Sequence, residues 1–65
     1  MIEIEISGKF LGKKLLLRER YGNEIEEATC ERFSPSGKFV KLKFNEFTNA
    51  IWQSVDEYLV IEILE

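Results

Sequence analysis

The sequence predicts an all-β fold, a small closed or nearly closed barrel of five or six short strands, and three observations carry that prediction. Apolar residues recur with a period of two at both ends of the chain and in its middle. Gly, Pro, Ser and Asn gather at short intervals between these runs, and no convincing long helix emerges. At 65 residues the chain makes one domain, spanning 1–65, and so short a chain buries only about 60% of the surface it exposes when unfolded. Apolar residues make up 45% and charged residues 32%, too apolar for a disordered tail and too interrupted for a membrane span.

The elements follow in order. Met1 to Ile6 reads M-I-E-I-E-I, which sets Ile2, Ile4 and Ile6 on one face and Glu3 and Glu5 on the other. Ser7-Gly8-Lys9 and Leu11-Gly12-Lys13 supply turn residues for a long loop, from which Phe10 and Leu11 tuck back over the core. Lys14 to Arg20 forms a second strand with Leu15 and Leu17 inward and Lys14, Leu16 and Arg18 outward, ended by Tyr21-Gly22-Asn23. Glu24 to Phe33 admits two readings. Asn23 and Glu26 suit the cap of a helix striped by Ile25, Ala28, Thr29 and Arg32, whereas Thr29, Cys30 and Phe33 suit a pleated surface. The strand is preferred, because Ser34-Pro35-Ser36-Gly37 then serves as a hairpin loop leading into an evident strand.

That next strand, Lys38 to Phe44, places Val40, Leu42 and Phe44 on one face and Phe39, Lys41 and Lys43 on the other. After a polar break around Phe47, Ala50 to Gln53 gives a short strand carrying Trp52, and Leu59 to Leu64 gives the last one. Between them Ser54-Val55-Asp56-Glu57 spells a capping box around a single 3₁₀ turn. Trp52, Val55, Tyr58, Val40, Leu42 and Ile61 are expected to share one core, so that truncating Trp52 costs about 3 to 5 kcal/mol.

Trp52, Val55, Tyr58, Val60 and Leu64, within I-W-Q-S-V-D-E-Y-L-V-I-E-I-L, resemble the end of an SH3-type barrel. There a strand with an aromatic enters a 3₁₀ turn ending in tyrosine and leaves through the closing strand. The resemblance covers about the last fifteen residues. The hairpin S-P-S-G-K-F-V-K-L is similar to one in short SH3-like proteins of unassigned function from archaea, bacteria and their viruses. Peptide binding is not implied: the paired tryptophans, the early A-L-Y-D-Y tyrosines and the proline before the final tyrosine are missing, and only Tyr58 lands on a peptide-groove position.

Catalysis is not expected. A lone Cys30 forms no internal disulfide, and without histidine the usual zinc-ligand sets and any imidazole base are lacking. Glu27 and Glu31 beside Cys30 raise its thiol pKa, which suits a buried structural cysteine. Asp56 and Glu57 read as acids at the positive end of one helical turn. No cofactor, metal or small-molecule substrate is expected. With no signal or transit peptide visible, the expected location is the cytoplasm. The Glu, Lys and Ile richness resembles hyperthermophile usage.

The charge is banded. Residues 9–20 carry five bases and one acid, and residues 32–44 carry four bases and no acid, whereas 21–31 are −4 and 45–65 are −5. If the basic segments are neighbouring strands, Lys14, Arg18, Arg20, Phe39, Lys41 and Lys43 share a face that mixes cations with a ring, as nucleic-acid binders do. The bland alternative pairs these bases with Glu24 to Glu31 across a hairpin. The first and last strands form a second candidate: as unprotected edges they invite a homodimer through Ile2, Ile4, Ile6 and Phe10. The preferred expectation is a non-catalytic binding or assembly module for another protein or itself. A nucleic-acid-binding accessory domain is the alternative.

Overall fold

Alternating side chains build one antiparallel sheet of six strands. The computed structural model describes residues 3–65, with β1 (Ile4–Glu5), β2 (Lys14–Glu19), β3 (Ile25–Phe33), β4 (Phe39–Phe44), β5 (Ile51–Ser54) and β6 (Tyr58–Ile63). The order across the sheet is β1-β6-β2-β3-β4-β5. Two 3₁₀ turns, Gly8–Phe10 and Val55–Glu57, complete the regular structure. Residues 25–33 are strand, not helix, and pair on one side with β2 and on the other with β4.

The core is the inner face of this sheet. Leu15 and Leu17 of β2, Ala28 and Cys30 of β3, Val40, Leu42 and Phe44 of β4, and Tyr58 and Val60 of β6 form one buried cluster with Ile6 and Phe10. Each such aliphatic or aromatic side chain contributes about 1.5 to 3 kcal/mol through its burial. Phe33 and Val55 pack against the cluster at its margin, and Tyr58 lies against Phe44 with ring centroids 5.7 Å apart.

Trp52 departs from expectation: it is 49% exposed and outside the core. Register is the cause. Val40 faces Gln53 and Leu42 faces Ile51 across the β4–β5 ladder, so Trp52 stands opposite outward-facing Lys41 and shares its side of the sheet. Ile61 is buried but lies outside the main cluster. Between the pairs Leu16–Glu62 and Leu17–Val60 the β2–β6 register shifts, leaving Ile61 as the extra residue of a bulge.

The chain's opening is shorter as a strand than its alternation predicts. Met1 and Ile2 lie outside the described residues, and only Ile4 and Glu5 pair, with Val60 and Leu59 of β6. Strand β1 has a neighbour on one side only, so Ile4 stays partly exposed, while Ile6 is buried as the chain turns inward. The following 3₁₀ turn rolls Phe10 into the core but leaves Leu11 outside. Gly12, at φ +80°, redirects the backbone there and donates its amide to the Cys30 carbonyl at 2.8 Å. The last strand is not an edge, because β6 is paired with both β1 and β2.

The second 3₁₀ turn forms without the expected capping box. The Ser54 hydroxyl donates to the Asp56 carboxylate at 2.5 Å and caps no backbone amide. The turn is fastened from outside instead. Val55 donates its amide to the Lys38 carbonyl at 3.0 Å, and the Arg20 Nε donates to the Asp56 carbonyl at 2.6 Å.

Candidate functional site: a cationic aromatic groove

The β3–β4 hairpin begins one wall of the site. Ser34, Pro35, Ser36 and Gly37 carry the residue types of a type I turn, with serine first, proline second and glycine fourth. The Gly37 amide closes the turn on the Ser34 carbonyl at 2.9 Å. Gly37 takes φ +77°, which a side chain would strain. Serine hydroxyls stiffen the tip: Ser34 Oγ accepts the Phe39 amide at 3.1 Å, and Ser36 Oγ accepts the Lys38 amide at 3.2 Å.

Just below the tip, β3 carries a bulge. Cys30 faces Leu42 and Arg32 faces Lys41, so Glu31 is the extra residue between them. Alternation therefore resets: Cys30 remains in the core, Arg32 points outward, and Phe33 turns inward opposite Val40. Strand β4 presents Phe39, Lys41 and Lys43 outward, and β5 adds Trp52 opposite Lys41. One outward row therefore runs Arg32, Lys41, Trp52 across three strands. An open groove of about 510 Å³ lies along this row, lined by Arg32, Phe33, Ser34, Pro35, Phe39 and Trp52. Phe39 and Trp52 are each 49% exposed.

The bases expected to share one face divide into two sets. Strand β3 lies between β2 and β4, so the two basic segments are not neighbours. On the β2 side each of the three bases has an acid beside it. Lys14 lies 3.5 Å from Glu27, Arg18 lies 3.2 Å from Glu3, and Arg20 bonds Glu5 at 2.8 Å. These three are the ion pairs among the described residues. The Lys14–Glu27 pair matches the cross-hairpin neutralisation weighed above, while Arg18 and Arg20 find their acids on or beside β1. Such exposed pairs add about 0 to 1 kcal/mol each to stability, but they screen the β2 bases from a ligand. Among the described residues Arg32, Lys38, Lys41 and Lys43 have no acidic partner, and Lys43 Nζ donates to the Phe44 carbonyl at 2.9 Å.

Arg32, Pro35 and Trp52 were absent from the sequence-based set. The four bases and no acid in residues 32–44 signalled the first of them, but simple alternation through β3 turns Arg32 toward the core. The dimer set is also altered: Ile6 and Phe10 are buried in the chain's own core, Ile2 is outside the described residues, and Ile4 alone keeps an exposed surface.

A second groove, of about 240 Å³, has the opposite sign, with Glu26, Glu27 and Glu46 beside Leu16, Ile25 and Phe44. Burial and the neighbouring Glu46, Glu19 and Glu24 raise the Glu26 pKa above its ordinary value. Cys30 is fully buried, and burial pushes its thiol up to about 11. The adjacent glutamates play no part in that shift. No helix among the described residues is long and apolar enough to cross a membrane. Comparisons with protein-family models, curated proteins and solved structures find no match to this chain.

Proposed function

We propose that this chain is a non-catalytic binding module of SH3-like build, and that its ligand surface is the groove between the β3–β4 hairpin and β5. The observation that carries the reading is the outward row Arg32, Lys41, Trp52 with Phe39 beside it, where half-exposed rings sit beside cations that have no acidic partner among the described residues. Neighbouring exposed apolar groups rimmed by polar residues are the kind of surface that partners cover. The strand path supports the SH3-like assignment: β2 to β5 follow one another across the sheet, and the chain returns through a 3₁₀ turn to lay β6 beside β2.

An anionic macromolecule fits this surface best. Residues 32–44 contribute +4 to a chain of net charge −3, so the rest carries −7. A negative ligand is thus drawn to this band and repelled by the acidic segments 21–31 and 45–65. Self-association through the first strand has less support, because Ile6 and Phe10 are already buried. A buried thiol suits a reducing cytoplasmic setting.

Trp52 is the only tryptophan, so its fluorescence reports on this site. Titrations with heparin, polyglutamate, a DNA duplex and an oligothymidine are expected to shift the emission with at least one of the four. An Arg32→Glu/Lys41→Glu variant should lose that response while keeping its β spectrum. No response to any of the four, or an undiminished response in the variant, overturns the reading.

A further inference from the structure

Resting on that reading of the groove, we infer that its ligand is single-stranded nucleic acid. The groove and the outward row beside it hold two kinds of group, and the ligand must satisfy both. Arg32 in the groove wall, with Lys41 and Lys43 at the outward positions of β4 beside it, calls for repeated negative charge, which polyglutamate, heparin and nucleic acids all carry. Phe39 and Trp52 call for flat, apolar faces beside that charge. Neither ring stacks on another aromatic of the chain: the ring pairs among the described residues are Phe44 with Phe47 and Phe44 with Tyr58. A chain with a phosphate and an unpaired base in every unit matches this combination, because every base has a face to stack. Duplex DNA offers the phosphates, but its bases are stacked on one another.

The groove is also preorganised. The hairpin tip is held by the Ser34 and Ser36 hydroxyl bonds and joined to the second 3₁₀ turn through Val55 and Lys38. Trp52 is fixed in register opposite Lys41 by its ladder. Stiff walls leave less ordering to be done on binding. Pro35, at the tip, adds an apolar surface to the groove wall.

The test uses the intact chain and an oligothymidine of about twelve nucleotides, within the span a small β domain covers, at about 50 mM salt. Binding is expected to quench Trp52 fluorescence. Phe39→Ala and Trp52→Ala, the latter followed by anisotropy of a labelled oligonucleotide, should each weaken binding about tenfold or more. Trp52→Phe, which keeps a ring, should restore most of the loss. The logarithm of affinity should fall with the logarithm of salt at a slope of about −2, the value for three phosphate contacts on a single strand. Because both rings lie outside the core, their variants should keep the parent's β spectrum, and stability measured alongside separates folding from binding.

Several results overturn the inference. Duplex bound as tightly as single strand would assign the site to backbone charge alone. Polyglutamate or heparin bound as tightly as the oligonucleotide, with no loss in the ring variants, would do the same while leaving the groove as the ligand surface. Silence toward every polymer would remove the groove reading as well.

Discussion

Lys41 and Trp52 stand directly opposite one another across the β4–β5 ladder, and Arg32 faces Lys41 from the other side. This row places the chain's single tryptophan on the wet side of the sheet. It also separates two roles that an aromatic can take in a small domain, since the nearby rings of Phe44 and Tyr58 serve the core.

The first prediction sets Trp52 against Leu42. Leu42 is fully buried at the centre of β4, so Leu42→Ala should cost about 2 to 5 kcal/mol and leave much of the population unfolded. Trp52→Ala should cost about 1 kcal/mol or less, as surface changes usually do. Urea denaturation of both variants checks this. Equal losses would return Trp52 to the core.

The second prediction concerns alkaline stability. The Cys30 pKa is raised by burial to about 11 from an ordinary value of 9.0. The unfolded chain therefore releases the thiol proton before the folded one does, and the stabilising contribution is full below pH 9. Between about pH 9 and 11 stability should fall by up to about 1.4 kcal/mol per pH unit. Tyr58, raised mainly by burial and then by Glu26, Glu19 and Glu57, adds to the slope at the upper end. Denaturation of Cys30→Ala at intervals from pH 8 to about 10 should show a flatter curve; a slope equal to the parent's contradicts the assignment.

The third prediction concerns the acidic groove. Burial and the facing carboxylates raise the Glu26 pKa, so its ionised form is less welcome in the fold than in the unfolded chain. That penalty is complete at neutral pH and vanishes below about pH 4, where the group is protonated in both states. Glu26→Gln should accordingly raise the melting temperature at pH 7 and leave it unchanged at about pH 3. A variant that melts lower at pH 7 would show that the carboxylate is held by contacts that outweigh the repulsion.

Much of this fold was legible because β2 and β4 are half-buried and alternate cleanly. Leu15 and Leu17, and Val40, Leu42 and Phe44, fall on the face that their period of two assigns, whereas residues 24–33 also fitted a helix. The S-P-S-G turn was equally plain, since its residue types fit its geometry. Edges and irregular pairings were not. Strand β5 has four residues and one neighbour, so I-W-Q-S holds no internal signal for which face is dry. Its register comes from β4. The same applies to Ile4, whose alternation is regular but whose strand has no second neighbour to cover it. The candidate site was half legible: the basic band and Phe39 appear in the sequence, whereas the placement of Arg32 and Trp52 depends on a bulge and a ladder.

The extra residue at Glu31 carries a consequence for reading sequences of this kind. It acts as a frameshift in the code of inward and outward positions: upstream of it Ala28 and Cys30 face the core, and downstream Phe33 does. A guanidinium that regular pairing would drive into the interior is thereby delivered to solvent beside two rings. Its place in the groove is thus written in the spacing of the strand rather than in a motif. Removing Glu31 would preserve every other letter of the hairpin and keep Arg32 outward, yet straighten the strand that aims it. A related chain without that residue would therefore align letter for letter through the hairpin and still present a differently shaped groove.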